Sequence, residues 1–274
     1  MRVGLKRFLR LLLPGFVPEL VERMRPVERL YHGPGWPSQV QPSWNDDSSE
    51  EVMRRNWPIV LARIDGVAPL SVLPYRSDQP DLPAHNMLMT FLYVLARAAH
   101  RKDDLSVLDW GGALGHFALV ARRMLPDIEL EYVVKEQAVN CRLAAELNPS
   151  VTFVDSDDEC FSRTYDVVVS NGALHYVEHW KPLVGRLAAA SRSWLLLNAV
   201  PIVHRVPSFV VVQRLRSSGF HGEFYSNAIN RDEFLDAAAR HGMVLVRELM
   251  AWGPVSYKGA PEDPVGAGFL FKRG

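Results

Sequence analysis

The chain has 274 residues, 48% of them hydrophobic, and its 31 basic residues balance 31 acidic ones. This composition excludes a chain that is disordered throughout and allows one large domain with additions. A formal net charge of zero gives no general electrostatic argument for a nucleic-acid partner. Two cysteines, Cys141 and Cys160, make no disulfide framework and favour reduced thiols in a cytoplasmic protein.

The first residues, MRVGLKRFLRLLLPGF, mix basic side chains with leucine and phenylalanine. Arg10 interrupts the apolar run and Pro14 stops it, so the run is too short to span a bilayer. No small-residue cleavage site follows. Residues 1–13 therefore predict a basic amphipathic helix, which either packs on its own domain or lies on an anionic membrane surface. The second alternative would place the protein peripherally at the inner face of the membrane.

Residues 31–58 are rich in proline, glycine and tryptophan, which predicts a long surface loop and a connecting helix. Trp36, Trp44 and Trp57 are expected to anchor this segment to the domain. From residue 84, helical and strand-like segments alternate, the strands being LSVLDW, IELEYVVKE, VTFVD, YDVVVSN and SWLLLNAV. Such alternation predicts a parallel sheet with helices on both faces.

Two links in this pattern carry local predictions. The stretch SDDECFSRT, between the third and fourth strands, is too short for an ordinary crossover helix, so one helical turn or a loop is expected. Near the end of the chain, the segment RDEFLDAAARHG is helical, and Asn230 and Glu233 have the spacing of a capping box at its start. Two strand-like runs, MVLVRELMAW and VGAGFLFKR, close the chain.

A glycine-rich loop follows the first of the alternating strands and opens a helix. Glycine lets the backbone turn tightly and approach a ligand, and the free N–H groups at the helix start favour an anionic group. A Walker-type phosphate loop is excluded, because no Gly-Lys-Ser/Thr follows. Glu136 ends the second strand, about 20 residues beyond the loop, where an acidic residue holds ribose hydroxyls. The loop therefore predicts a site for a dinucleotide or another adenosine ligand.

Two details argue against a dinucleotide. Gly111, Gly112 and Gly115 do not have the G-x-G-x-x-G spacing, and Asp109 stands where a nicotinamide site usually begins with glycine. The stretch instead resembles the first motif of class I S-adenosylmethionine-dependent methyltransferases, roughly hydrophobic-Leu-Asp-x-Gly-x-Gly-x-Gly. It departs from that motif at Ala113, where the middle glycine usually stands.

The form Leu-Asp-aromatic-Gly-Gly, together with PSFVVVQRL, INRDEF and GFLFKR, is similar to a poorly characterised group of bacterial methyltransferases. That group is often associated with surface-polysaccharide gene clusters. The resemblance implies a Rossmann-like α/β fold with a seven-stranded, mostly parallel sheet. It also implies an N-terminal helical and loop extension over 1–83, a methyltransferase domain over 84–274 and a lid insert over about 201–230.

The same resemblance implies S-adenosylmethionine as cofactor and S-adenosylhomocysteine (SAH) as product. Gly111, Gly112 and Gly115 would let the loop pass the methionine part. Asp109 would bind the ammonium of that part or brace the loop, and Glu136 would accept hydrogen bonds from both ribose hydroxyls.

Other positions that the resemblance assigns lie at later strand ends. Asp155 would lie near the adenine edge, with Ser156 and Asp157 as close alternatives; otherwise this acidic stretch is a solvated loop. Asn171 and Gly172 would face the methionine part, and Asn86 would touch the cofactor from the preceding helix. The acidic cluster has no accompanying histidine or spaced carboxylate set, so no metal is expected.

The candidate catalytic residues are His175, Tyr176 and His179, which are expected on one exposed turn after the fourth strand. A hydroxyl that attacks the sulfonium methyl group must lose a proton, and histidine is suited to accept it near neutral pH. His175 is the first candidate base. In the alternative, His175 and Tyr176 only line the pocket, and positioning supplies the rate.

The acceptor is expected to be small and polar, such as a hydroxyl of a saccharide or glycan precursor. The segment SNGA lacks the Asn-Pro-Pro-Tyr of methyltransferases that act on amines of DNA and protein. Polar and aromatic residues of the insert either cover the acceptor pocket or belong to a surface loop; they are His204, Gln213, His221, Tyr225 and Arg231. An NAD(P)-dependent oxidoreductase and a non-catalytic nucleoside-binding interaction protein remain as alternatives.

Overall fold

The structure of the protein, a computed structural model, describes residues 28–38, 47–71, 73, 81–215 and 222–274. The helix expected over residues 1–13, and the side chains of Trp44 and His221, lie outside these ranges. Within them, no helix is long and apolar enough to cross a membrane.

The described helices and strands alternate over most of the chain. In chain order they are β1 Glu28–Gly33, α1 Asp47–Asp65, α2 Leu82–Ala98, β2 Asp104–Trp110, α3 His116–Met124, β3 Glu129–Lys135, α4 Ala138–Leu147, β4 Thr152–Val154, α5 Asp157–Cys160, β5 Tyr165–Asn171, a 3₁₀ turn Leu174–Tyr176, α6 Trp180–Ala190, β6 Ser191–Val203, β7 Phe209–Leu215, β8 Gly222–Asn230, α7 Arg231–Ala239, β9 Met243–Trp252 and β10 Val265–Arg273.

Seven strands form the central sheet in the order β4-β3-β2-β5-β6-β10-β9. Strands β2 to β6 are parallel, and β10 is antiparallel to both of its neighbours. The predicted seven-stranded, mostly parallel sheet is therefore confirmed. The strand order reverses between β2 and β5, so the carboxyl ends of these two strands flank the crevice where open α/β sheets bind ligands.

The central strands are buried on both faces, which explains their continuous apolar sequences. Successive side chains of β2 point to opposite faces, so Val107 belongs to one apolar cluster and Leu108 to the other. The first cluster contains residues of α1, α2, α3 and α4, and the second contains residues of α6 and α7. Helices thus cover both faces, as predicted.

The local predictions for the links are largely confirmed. Helix α5 is a single short turn between β4 and β5. The side chain of Asn230 accepts hydrogen bonds from the backbone N–H groups of Asp232 and Glu233 at the start of α7. The carboxylate of Glu233 does not complete a capping box. It accepts from the N–H of Ser208 and forms an ion pair with Lys181 instead.

The proline- and tryptophan-rich segment is only partly a loop. Its first residues belong to β1, so the expected loop is wrong there. The predicted connecting helix is present as α1, which begins at Asp47. Trp57 is an anchor as predicted: its side chain is buried, and its indole N–H donates to the carbonyl of Leu147 at 3.0 Å. Trp36 is half-buried.

The insert after β6 contains two strands that the sequence did not predict. Strands β7 and β8 are antiparallel, and β1 adds to β7 from the N-terminal part of the chain. We call these three strands the arm sheet. It joins the central sheet through two parallel pairs, Ile202 with Ile229 and Val203 with Asn230. Strand β1, which belongs to the predicted N-terminal extension, is therefore paired with a strand of the insert.

Candidate functional site

The glycine loop between β2 and α3 has a left-handed backbone at three positions. The φ angles are +78° at Gly111, +50° at Ala113 and +68° at Gly115. A Cβ atom at Gly111 would collide with the side chain of Ala173, just after β5. Glycine at this position therefore allows the loop to lie against the segment that follows the neighbouring strand. Ala113 adopts the left-handed conformation without being glycine, at the position where the sequence departs from the family motif.

Asp109 braces this loop from below. Its side chain is 1% exposed, and its Oδ2 accepts a hydrogen bond from the Tyr132 hydroxyl at 2.9 Å. A Cβ atom at Gly112 would lie 2.6 Å from the same oxygen. Burial raises the pKa of Asp109 to about 7, the Tyr132 hydrogen bond opposes this shift, and the charge of Glu136 adds to it. Within the described ranges, Oδ1 of Asp109 is buried and has no hydrogen-bond partner.

Asn148 supports the loop from the other side, a role that the sequence did not predict. Its side chain is buried, and its amide nitrogen donates to the carbonyls of Leu114 and Gly115 at 3.0 and 3.2 Å. The sequence marked this residue only as the end of a helix before proline. These bonds tie the loop to the end of α4.

Glu136 lies at the end of β3, next to the glycine loop. One carboxylate oxygen accepts from the backbone N–H of Ala113 at 3.1 Å, and the other accepts from the N–H of Gln137 at 2.8 Å. The carboxylate is partly exposed. Because a carboxylate has about four lone-pair positions, it can accept further hydrogen bonds from a ligand.

The acidic stretch after β4 divides into different roles. Asp157 accepts from the Trp110 indole at 3.1 Å and forms an ion pair with Lys135 at 3.1 Å. The hydroxyl of Ser156 accepts from the N–H of Glu159 and caps α5. Asp155 is exposed at the strand end. Among these three neighbours, and within the described ranges, Asp155 is the one whose exposed side chain makes no hydrogen bond or ion pair.

Asn171 ends β5 and is oriented by Asn198, a residue that the sequence analysis missed. The Asn198 amide nitrogen donates to Oδ1 of Asn171 at 2.9 Å and to the carbonyl of Met87 at 3.3 Å. The amide nitrogen of Asn171 is consequently turned away and, in the part of the chain that the structure describes, is buried without a partner. A lone asparagine in the apolar run SWLLLNAV was the available signal.

A bulge in β6 sets the position of Asn198. Asn198 and Ala199 lie opposite the single residue Gly268 of β10, and Ala199 has a φ of +60°. A side chain at Gly268 would collide with Oδ1 of Asn198. The carbonyl of Asn198 accepts from the N–H of Gly172 at 2.9 Å. Bulges of this kind re-aim side chains beside active sites.

The three candidate catalytic residues do not share one exposed turn, which corrects the sequence prediction. His175 is 4% exposed, Tyr176 is half-buried, and the His179 side chain is 77% exposed before α6. The rings of His175 and Tyr176 are 4.2 Å apart. Burial lowers the pKa of His175 to about 3, so the imidazole is neutral at pH 7. Its Nδ1 is buried and accepts or donates no hydrogen bond within the described residues.

A second buried histidine lies at the start of α3. Both ring nitrogens of His116 are buried without a partner in the described structure, and burial lowers the pKa of this residue to about 3. The ring packs edge-on against Phe117. No role was assigned to His116 from the sequence.

The remaining predicted residues lie in different places. The Asn86 amide donates to the carbonyl of Ala251 in β9 at 3.1 Å, and its cofactor contact stays a prediction. Gln213 donates to the Tyr257 hydroxyl, and Arg231 forms an ion pair with Glu248. Across the described ranges, no group of three or more His, Cys, Asp or Glu residues could hold a metal ion.

Residues 84–205 match a family model described as a methyltransferase domain. This segment of the chain is therefore similar to a methyltransferase domain. A comparison with curated proteins finds no match. A solved structure from Listeria monocytogenes, described as an S-adenosylmethionine-dependent methyltransferase, has 10% identity and a TM-score of 0.50, and the alignment covers 69% of this chain and 98% of that one. This similarity shows the class I methyltransferase fold.

Two further solved structures contain bound SAH. The N-terminal domain of EvdMO1 has 15% identity and a TM-score of 0.49, with 85% of this chain and 100% of that chain covered. Magnesium protoporphyrin IX methyltransferase from Synechocystis PCC 6803 has 13% identity and a TM-score of 0.46, with 82% and 98% covered. The methyltransferase domain and its fold support an enzyme that uses S-adenosylmethionine.

Proposed function

We propose that this methyltransferase transfers a methyl group from S-adenosylmethionine to a hydroxyl of a small polar acceptor, a saccharide or glycan precursor. The observation that carries the proposal is the meeting of four features at the crevice between β2 and β5. They are the glycine loop, the buried Asp109, the carboxylate of Glu136 and the amide of Asn171.

The polar atoms at this crevice fit the methionine part of the cofactor. Within the described ranges, two buried atoms have no hydrogen-bond partner: Oδ1 of Asp109, an acceptor, and the amide nitrogen of Asn171, a donor. An ammonium group would satisfy the first atom and a carboxylate the second. A cation beside Asp109 would also lower its pKa and favour the ionised form. The absence of a Cβ atom at Gly111 and Gly112 lets the loop lie close to Ala173 and to Asp109.

The adenosine part is assigned to the ends of β3 and β4. Glu136 would accept from the two ribose hydroxyls while it keeps its bonds to the glycine loop. Asp155 is proposed at the adenine edge, because Ser156 and Asp157 already make structural hydrogen bonds.

The cofactor supplies an electrophilic methyl group on a sulfonium, and the protein must position the acceptor and receive its proton. His175 is proposed as the base, because it lies on the turn that follows β5 and its Nδ1 has no hydrogen-bond partner among the described residues. Since burial lowers its pKa to about 3, the proposal requires that the bound acceptor and cofactor raise this pKa. Tyr176 packs against the imidazole and would hold its orientation. His179 is the alternative base at the exposed rim.

Residues 1–13 are proposed to bring the enzyme to a membrane-attached acceptor. The support is the basic amphipathic sequence alone. Deletion of these residues should reduce partition of the protein into anionic liposomes measured by sedimentation. Unchanged partition would remove this part of the proposal.

Calorimetric titration with S-adenosylmethionine, SAH and NAD(H) tests the proposed cofactor. We expect micromolar binding of the first two ligands. Glu136→Ala removes two charge-assisted hydrogen bonds, which corresponds to about 3 kcal/mol and a roughly hundredfold loss of affinity. Glu131→Ala is the matched control, because this exposed glutamate on the same strand pairs with Arg163 away from the loop.

Either of two results would contradict the proposal. Binding of NAD(H) without binding of the sulfonium ligand or SAH would favour an oxidoreductase. Equal SAH affinity of Glu136→Ala and the wild-type protein would show that the carboxylate does not hold the ribose.

A further inference from the structure

We infer that the arm sheet binds a sugar ring of the acceptor on the face that carries Tyr225. The inference rests on the proposed function, since it specifies where the acceptor of that reaction lies. Three aromatic side chains meet at this place. The ring of Tyr225 lies 5.2 Å from the ring of His32 and 6.3 Å from that of Trp36. His32 is exposed, and Trp36 and Tyr225 are half-buried.

The strand register defines this face. Side chains alternate along a strand, so Glu223, Tyr225 and Asn227 of β8 lie on one face of the arm sheet. In the neighbouring strand, Val212 is paired with Tyr225 and Val210 with Asn227, and these residues share the face. We call it the Tyr225 face.

The opposite face of the arm sheet packs against the end of β6 and the segment between β9 and β10. Phe209, Val211 and Ala228 form a buried apolar cluster with Val203 and Tyr257. The arm sheet is therefore held on one side, and the aromatic residues lie on the other.

The Tyr225 face continues to the proposed catalytic turn. The amide nitrogen of Asn227 donates to the carbonyl of Val177 at 2.8 Å and to the carbonyl of His175 at 3.3 Å. Tyr225 lies two residues before Asn227 on the same face. A ligand on the aromatic residues would therefore be adjacent to the turn that carries the candidate base.

A polar group borders the aromatic residues at the other end of the face. The Arg214 guanidinium binds Glu223 at 2.6 Å and Glu28 at 3.3 Å, and the Tyr225 hydroxyl donates to Glu223 at 3.1 Å. The carboxylate oxygens of this group accept hydrogen bonds from hydroxyl groups.

A neutral saccharide has the complementary chemistry. The C–H bonds on one side of a sugar ring carry partial positive charge and pack on the negative face of an aromatic ring. The hydroxyl groups at the ring edge need hydrogen-bond partners of the kind that Glu223 and Glu28 provide. Aromatic walls with a few placed polar groups are typical of small-molecule sites. The Tyr225 face combines both features.

Saturation-transfer NMR on the full chain, without cofactor, tests this site. The probes are the methyl glycosides of a neutral hexose, a 6-deoxyhexose and an N-acetylhexosamine. Trp36→Ala and Tyr225→Ala should each weaken binding about tenfold, and Tyr225→Phe should retain most of it, because the ring remains. Tyr93→Ala is the matched control, since Tyr93 is an exposed aromatic residue on α2.

SAH affinity, measured on every variant, separates the two proposals. We expect it to be unchanged, which also shows that the variants are folded. Binding of no probe by a wild-type protein that binds SAH would overturn the sugar site. Equal binding by the alanine variants would overturn it as well. Glycoside binding without SAH binding would support the sugar site and contradict the proposed methyl transfer.

Discussion

Substitution of Asp109 by asparagine should change stability and cofactor binding in opposite directions. Burial gives this carboxyl a pKa of about 7 in the folded state, against an ordinary value of 3.8. Asparagine has nearly the same shape, and its oxygen can still accept from Tyr132, but it cannot ionise. The substitution therefore removes the cost of an ionised carboxylate in a buried position.

The direction in which stability changes with pH follows from proton binding to Asp109. Between pH 3.8 and 7 the folded state holds the proton of Asp109 and the unfolded state releases it. The stability that Asp109 contributes is therefore fully present below pH 3.8 and is lost as the pH rises through 7. With 1.36 kcal/mol per pKa unit, the wild-type protein should lose on the order of 3 kcal/mol relative to Asp109→Asn between pH 5 and 8.

Urea unfolding of both proteins at pH 5 and pH 8 measures this difference. His116 and His175 titrate in both proteins, so their contributions cancel. Asp158→Asn is the control, because it makes the same chemical change at an exposed carboxyl outside the glycine loop. The same Asp109→Asn protein should bind SAH at least about tenfold more weakly, since the charge that faces the ammonium is lost. A stability difference that is constant with pH would refute the reasoning.

Three further substitutions test other parts of the site. Asn198→Asp can only accept, so it should turn the amide of Asn171 and weaken SAH binding about tenfold in calorimetry; unchanged affinity would show that Asn198 does not orient it. Ala113→Gly should raise the free energy of unfolding by about 0.5 to 1 kcal/mol, because φ is positive there, whereas Ala118→Gly within α3 should lower it. Because burial lowers the pKa of His116 to about 3, the stability due to this neutral histidine is complete above the unfolded pKa of 6.5 and is lost as the pH falls. The wild-type free energy of unfolding should therefore rise by about 1.4 kcal/mol per pH unit between pH 4 and 6, and His116→Leu should remove this rise. The same pH dependence in both proteins, measured by urea unfolding, would contradict this.

The central sheet could be predicted because its signals are local. The apolar runs that form β2 and β5 are flanked by helical segments, and a parallel sheet follows from that alternation. The proximity of Glu136 to the glycine loop could be predicted for the same reason: each stands at a strand end, and parallel strands bring such ends to one edge. The predicted exposure of His175 was wrong, because the turn after β5 contacts β8, where Asn227 donates to the carbonyl of His175.

The sequence by itself determined the fold class, the alternation of helices and strands along the central part of the chain, and the place of the glycine loop. These features depend on periodicity and turn residues within short segments. Only the tertiary structure decided that Asn148 holds the glycine loop, that Asn198 orients Asn171, and that β1 joins β7 in the arm sheet. Each of these contacts joins residues distant in the chain. Such pairings are set by packing of the whole domain, and no local pattern encodes them.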